Sequence, residues 1–540
     1  MPIRRNNYLS EKLNMQKSFL TILLSLISIS IFAQQNYFQQ HLTYNIDVTL
    51  NDKDKSLKGA ETIVYKNNSP SSLEFIWFHI WPNAYKNEST ALFQQIRNDT
   101  SRKEKLKNVA YGSIDGLNFK VDGKTAKTEA HPNPQYIDIV KVLLPTALKP
   151  GDSITISTDF NVKLPSYFSR SGYAETEFMV TQWYPKPAVF DKDGWHEFPY
   201  LDMGEFYSEY ADYKVNITLP SSYVVGATGV LQNADELRAY KTIGAKNTSM
   251  RAGKPTLYAP VSKSETKKLT YSISNVPDFA WFADKDLVIQ YDTVKLASGK
   301  VVDAFSYYHN KKNTLWVNSI DYIKDATKKY SQWIGEYEYP VVQAIEGPKN
   351  NSSGGMEYPT ITLITSPDAK KETLDGVITH EVGHNWFMSM LGNNERMHTW
   401  QDEGFNTFYQ FRYEAEKYRS NSIFGDAIPA KIKELPADKF LASIYGALTN
   451  VPMESAIDIP AADFKTSEEY GLISYAKTAL WLYILESQIG QEKFDKAFQA
   501  YFSEWKNKHP TPADFKASFE KSLGVNLDKY FELLNQKGKF

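Results

Sequence analysis

The sequence predicts a multidomain protein with an all-β first half and an α+β second half that ends in helices. Three observations carry this. Strand-period alternation recurs from Tyr44 to about residue 290, helical spacing takes over after Asn313, and 540 residues with 42% hydrophobic content exceed one core. Single cores stop growing at roughly 250–300 residues, so two or three domains are expected.

The N-terminal segment comes first. Phe19 to Phe32 is an apolar run broken only by Ser and Thr, with Lys17 before it and Ala33-Gln34-Gln35 after it. This reads as a secretory signal over residues 1–33, cleaved after Ala33, with Met15 as an alternative start. The run falls short of the roughly 20 apolar residues of a membrane span, although an uncleaved anchor is the other reading. The mature chain is therefore expected to be exported, periplasmic or extracellular, and soluble after signal cleavage. Cysteine is absent, which excludes disulfides, a lipid anchor on cysteine, thiolate metal sites and a cysteine nucleophile.

Residues 36–290 read as the β-rich N-terminal domain. Tyr44, Ile46, Val48 and Leu50 alternate on one face, Asn51-Asp52-Lys53-Asp54 forms a turn, and a second alternating run passes through Ile63 and Tyr65. That is hairpin grammar. The same period returns at Ile154 and Ile156, from Tyr213 to Leu219, and around Leu269, Tyr271 and Ile273.

Residues 291–540 read as the second domain. Leu315 to Ile334 has helical spacing, Val341 to Ile345 and Ile361 to Thr365 read as short strands, and long helical segments follow. Thr511-Pro512-Ala513-Asp514 supplies an N-cap, a first-turn proline and an acid for a last helix. No Gly/Ser tether marks the change near residue 290, so the two halves are expected to pack closely. Lys plus Arg is 61 against Asp plus Glu at 63, which leaves no net field to recruit nucleic acid.

The chemistry concentrates in His380-Glu381-Val382-Gly383-His384. Leu374, Val377 and Ile378 precede it at helical spacing, and residues four apart share a helix face, so both imidazoles can point at one ion. A catalytic zinc takes three protein ligands and keeps an open position. Glu403 supplies the third, in Asp402-Glu403-Gly404-Phe405 at the head of a second helix-compatible run. The metzincin pattern is excluded, because Phe387 and Met390 stand where it needs Gly and His. One Zn²⁺ per chain is expected on His380, His384 and Glu403, with Glu381 as the base that activates water.

With these residues the chain resembles the aminopeptidase N family of zinc metallopeptidases, the gluzincins with HExxH, eighteen intervening residues and Glu. Three further stretches support the resemblance. Gly354-Gly355-Met356-Glu357-Tyr358 is similar to the family's Gly-Ala-Met-Glu-Asn exopeptidase motif, which implies that Gly355 and Glu357 bind substrate, Glu357 by its terminal ammonium, with Met356 as a wall of the first side-chain pocket. Ser474-Tyr475-Ala476-Lys477 resembles the family's Tyr-Glu-Lys-Gly segment and implies that Tyr475 donates to the oxyanion. Thr181-Gln182-Trp183-Tyr184 resembles the segment whose Gln or Glu helps to bind the amino terminus, which would be Gln182.

The resemblance spans nearly all of residues 40–540. It implies a saddle-like β-domain on a thermolysin-like catalytic domain, and an aminopeptidase acting on peptides with a free amino terminus. Tyr358, Asp402, Ala476 and Thr478 depart from the family pattern and bear on substrate detail. The large C-terminal helical domain of many relatives has no counterpart here, which implies a more open cleft. Three other readings stay open: an endopeptidase with a structural Glu357, an epoxide-hydrolase-like relative, and a non-catalytic peptide- or metal-binding protein on the same scaffold.

Overall fold

The structure, a computed structural model, describes residues 37–540 apart from 252–253, 262, 313 and 351–353. The expected signal segment, residues 1–33, lies outside the described residues, as does the alternative start at Met15. Among the described residues no helix is long and apolar enough to cross a membrane.

The alternating runs fold as expected. β1 (His41–Asn51) and β2 (Ser56–Lys66) pair antiparallel, with Ile46 opposite Glu61 and Leu50 opposite Leu57. β3 (Ser153–Lys163) pairs antiparallel with β2, β4 (Ala211–Pro220) runs parallel to β1, and β5 (Thr266–Val276) pairs antiparallel with β4. Together they form the centre of a nine-stranded sheet, in the order β5-β4-β1-β2-β3. Every second residue of β1 is buried, because successive side chains of a strand point to opposite faces. Two four-stranded sheets and a two-stranded one, Val189–Asp191 with Gly194–His196, complete the first half's β structure, and one of the four-stranded sheets is built on Leu73–His79 and Ile139–Leu148.

The first half also carries helices that alternation does not announce, Ala91–Asn98 and Ala234–Ser249. The second packs on β6 (Leu287–Lys295), where Gly244 sits so close that a Cβ there would meet the Tyr291 Cβ at 2.5 Å. β6 begins the second half's sheet, so a boundary at 290 falls inside a strand.

That second sheet adds β7 (Val301–His309), β8 (Val341–Glu346), β9 (Gly355–Met356) and β10 (Ile361–Ile364), in the order β6-β7-β8-β10-β9. β7, β8 and β10 are parallel, while β9 is an antiparallel edge strand. Helices α1 (Ser319–Trp333), α2 (Lys371–His384), α3 (Glu403–Lys417) and α4 (Thr478–Ile489) belong to the same half. The last long helix begins at Pro512 with Thr511 and Asp514 forming a reciprocal capping box.

One continuous hydrophobic cluster extends from Leu42 to Leu534, so the two halves share a core. Behind the second-half helices it is aromatic. Phe405 lies 4.8 Å from Phe515, and Phe515 lies 4.3 Å from Phe519 between ring centres. Rings at such separations contribute roughly 0.5–1.5 kcal/mol each beyond their buried area, and they form a rigid backing for α3.

Candidate active site

α2 and α3 meet because two small residues let them. A Cβ on Gly383 would fall 2.1 Å from Asn406 Oδ1, and one on Gly404 would fall 2.2 Å from Thr478 Cγ2. Glycine at these positions brings α2, α3 and the helical stretch that carries Tyr475 into direct contact. The backbone is then pinned by Asn406, which donates to the His380 carbonyl at 2.6 Å and accepts from the Tyr330 hydroxyl at 2.7 Å.

His380 and His384 project from the same face of α2, as their spacing predicts, and Glu403 meets them from the first turn of α3. His380 Nε2 lies 3.2 Å from Glu403 Oε2, His384 Nε2 lies 3.3 Å from the same oxygen, and the two imidazole nitrogens are 3.1 Å apart. A tetrahedral ion with bonds of about 2.0–2.1 Å needs ligand atoms roughly 3.3–3.4 Å apart, so this donor set fits zinc. The remote nitrogens are held as well. His384 Nδ1 is 2.6 Å from Asp402 Oδ1 and His380 Nδ1 is 2.9 Å from Gln410 Oε1, which fixes both rings with Nε2 towards the common point.

Sequence reasoning misses both of these holders. It marks Asp402 only as a departure beside Glu403, while Gln410, two turns along α3 on the Glu403 face, carries a spacing signal that could have found it.

Glu381 is buried beside the cluster and its Oε2 has no hydrogen-bond partner. Burial pushes its carboxyl up to about 8, with His384 pulling it down and Glu403 adding to the rise. Gly355, on the edge strand, explains how the carboxylate fits, since a Cβ there would lie 2.6 Å from Glu381 Cδ. Glu357 follows directly, and donor atoms of Glu357, Glu381 and His384 all lie within 4.8 Å of one another. Glu357 is 4% exposed, its Oε1 is unpartnered, and burial raises its pKa well above the ordinary carboxyl range. At Glu403 burial acts the same way, but the imidazoles of His384 and His380 outweigh it and hold the carboxyl low. Orphaned buried carboxylate oxygens around a convergent donor set are what a site for cations shows.

Tyr475 reaches the same point from a wide π-helical stretch, Gly471–Lys477, that runs into α4. Its ring stacks on His380 at 5.8 Å and its hydroxyl donates to Glu403 Oε1 at 2.5 Å. Such π-stretches recur at functional sites, and a second one, Asn385–Met390, follows His384 directly.

These groups line a cleft of about 380 Å³, together with Met356, Tyr470 and, from the first half, Arg170 and Glu205. Gln182 does not line it. Its backbone is left-handed, with φ of 47°, its amide donates to Asp278 at 3.4 Å and its carbonyl accepts from the Tyr358 hydroxyl at 3.3 Å. The expectation that Gln182 contacts an amino terminus is therefore corrected, because its polar atoms are engaged behind Tyr358. Glu205 and Asp202 are first-half carboxylates at the cleft, and both lie in an irregular loop that carries no periodic signal.

Two helix-borne imidazoles, a carboxylate from the next helix and a buried glutamate beside them define a zinc-peptidase-type centre of the HExxH–Glu class. Residues 319–533 match the peptidase family M1 domain. This is the family to which the sequence resemblance pointed, and it implies zinc.

Among curated relatives, the chain is 28% identical over 190 residues to a leukotriene A-4 hydrolase homolog from Botryotinia fuckeliana, covering 34% of this chain and 27% of that protein. It is also 28% identical over 190 residues to leucine aminopeptidase 2 from Sclerotinia sclerotiorum, covering 34% and 29% respectively. The chain thus matches less than a third of the length of these two relatives. An M1 zinc metallopeptidase from Deinococcus radiodurans has the same overall fold, with a TM-score of 0.59 at 14% identity, covering 93% of this chain and 94% of that one. A mutant M1 zinc metallopeptidase from that organism was solved bound to a Tyr-Ser-Ala substrate, with the same TM-score and identity, covering 93% of this chain and 95% of that one.

Proposed function

We propose that the protein is a zinc aminopeptidase that removes the first residue from peptides with a free amino terminus. The observation that carries this reading is the placement of Glu357. A buried, unpartnered carboxylate stands beside both the metal-donor set and Glu381. One zinc per chain would be held by His380, His384 and Glu403.

When bound, zinc supplies a Lewis acid that polarises a carbonyl, lowers the pKa of water and favours the ionised form of nearby carboxyls. Glu381, buried beside the donor set, then accepts the proton of the attacking water and returns it to the departing amine. Glu357 pairs with the substrate's α-ammonium in a dry site, where a charge-assisted hydrogen bond is strong. The amino terminus is thereby fixed one residue from the carbonyl under attack. Tyr475 is within reach to turn its hydroxyl from Glu403 towards the oxygen that gains charge. The peptide-bound neighbour supports peptides as the ligand class.

The test is turnover of free-amine and acetyl-blocked fluorogenic peptides by the purified mature chain, with and without chelator. Chelator-sensitive cleavage of free-amine substrates only is the expected result. Equal cleavage of blocked peptides would make the protein an endopeptidase. Zinc binding with no turnover would leave only a binding protein.

A further inference from the structure

The strand that carries Glu357 does not by itself fix it. β9 spans only Gly355 and Met356, and its ladder to β10 ends with Met356 opposite Leu363. The place of Glu357 is set by the turn that follows. We propose that Thr360 and Asn385 are positioning residues that clamp this turn to the zinc-site helix and so fix the distance from Glu357 to the metal-donor set. This rests on the aminopeptidase reading above, in which that distance measures one residue from the chain end.

The turn is closed by the Ile361 amide, which donates to the Tyr358 carbonyl at 3.1 Å, with Pro359 and Thr360 between them. Proline holds φ near about −65° at the second position, and Thr360 has a φ of 64° at the third. That is a type II turn, whose third position favours glycine. Thr360 is fully buried there. A β-branched residue in left-handed backbone costs free energy that glycine would not, and such strain persists only where the surroundings over-determine it.

The surroundings grip Thr360 from two sides. Its amide donates to Asn385 Oδ1 at 2.9 Å, and its hydroxyl accepts from the Gly229 amide at 2.8 Å. Asn385 is the residue after His384 and is itself buried. Its Nδ2 donates back to the Val382 carbonyl of α2 at 2.9 Å, and its Oδ1 also accepts from the Tyr337 hydroxyl at 3.3 Å. One side-chain amide thus ties the turn, three residues past Glu357, to the helical turn that carries His384.

Gly229 brings in the first half. Its φ is 86°, and a Cβ there would lie 2.6 Å from the Ser272 carbonyl oxygen, so its N–H is presented at a fixed point. The Tyr358 hydroxyl meets the same half at Gln182. Glycine at position 360 would enter the turn without strain but would leave the buried Gly229 N–H without its acceptor. The threonine therefore exchanges local strain for a contact that fixes the turn from outside, as expected where a site needs its spacing held.

The experiment uses two zinc-binding hydroxamates that differ in the ammonium, alanine hydroxamate and propanohydroxamate. Calorimetric titration of the zinc-loaded protein at about pH 6.5, below the pKa of an α-amino group, gives the ratio of their dissociation constants. The wild type should bind alanine hydroxamate at least about tenfold more tightly, the scale of one hydrogen bond to a charged group. Asn385→Ala and Thr360→Val should bring the ratio towards one with propanohydroxamate affinity unchanged, and Thr360→Ser, which keeps the hydroxyl, should preserve it. Thr360→Gly separates position from fold. With the β-branch and its strain gone it should melt no lower than Thr360→Val, while its ratio falls alike.

An unchanged ratio in Thr360→Gly and Asn385→Ala overturns the clamp and leaves the aminopeptidase reading standing. Affinities for both hydroxamates that fall together, in step with the melting temperature, reduce the two residues to a role in the fold and overturn it as well. Equal affinities in the wild type remove Glu357 as the partner of the ammonium, so the aminopeptidase reading fails and the clamp fails with it.

Discussion

The central sheet and the zinc-helix pair are buried by opposite rules. In β1 burial alternates residue by residue, so polar side chains face water and apolar ones face the core. In α3 every residue from Glu403 to Ala415 is buried, including Asn406, Gln410, Arg412 and Glu414. The apolar face of the sheet gains stability mainly from buried area, with Glu61 of β2 a buried exception. The helix pair has to satisfy its buried polar atoms one by one, and it does so in part, through Asn406 to Tyr330, His380 to Gln410 and His384 to Asp402, while Glu381 Oε2, Asp402 Oδ2 and Thr407 Oγ1 have no hydrogen-bond partner. Buried polar groups cost free energy unless they are paired, so the helix pair gives up stability to hold the site in place.

The largest effect should come from removing the base within the helix pair. Glu381→Gln is expected to lower kcat by about 10²–10⁴-fold, the usual contribution of general acid–base catalysis, with zinc content unchanged by elemental analysis. Retained activity would move the base elsewhere. In the sheet the loss should be of the other kind. Ile217 is fully buried on β4, and Ile217→Ala should cost about 2–5 kcal/mol in denaturant unfolding while kcat of the folded fraction stays put. A fall in kcat would show that the sheet tunes the site, against the division drawn above.

Asp402→Asn sharpens the contrast from the metal side. Asn keeps the shape but removes the charge that orients His384, and zinc affinity in a competition titration should weaken roughly 10–100-fold. No change in affinity would make the 2.6 Å contact merely structural.

Legibility follows the same divide. β1 to β5 are readable because one face of each meets water, and the alternation of Tyr44, Ile46 and Val48 or of Tyr213, Val215 and Ile217 records that asymmetry. His380, Glu381, His384 and Glu403 are readable because an ion imposes fixed spacing on its ligands. Glu205 and Arg170 are not, since they sit in loops where no periodicity applies. Gln182 is misplaced by the sequence because a likeness carries residue type but not the backbone twist and the Tyr358 contact that turn it away. The helix Ala234–Ser249 escapes notice for a further reason. It mixes small and polar residues, with only Glu236, Tyr240, Gly244 and Asn247 buried, so it shows no apolar stripe.

The smallest effect should appear where the two halves touch. His309, on β7, faces Glu177 at 3.3 Å and Asp284 at 3.7 Å from the first half, and Glu346 of its own sheet at 3.7 Å. Burial alone would lower its pKa, but these carboxylates outweigh burial and push it up to about 10. A folded-state pKa above the unfolded value near 6.5 means that the imidazolium's contribution is complete below about pH 6.5 and fades as pH rises through 10. Burial pushes Glu177 up to about 7, so that group titrates first and the alkaline limb belongs to His309. Between pH 7 and 10 the melting temperature of the wild type should therefore fall further than that of His309→Gln, by on the order of 1–2 °C for a chain of this size. Parallel curves would show that the junction between the halves is held by its shared hydrophobic core, with no measurable share from this ion pair.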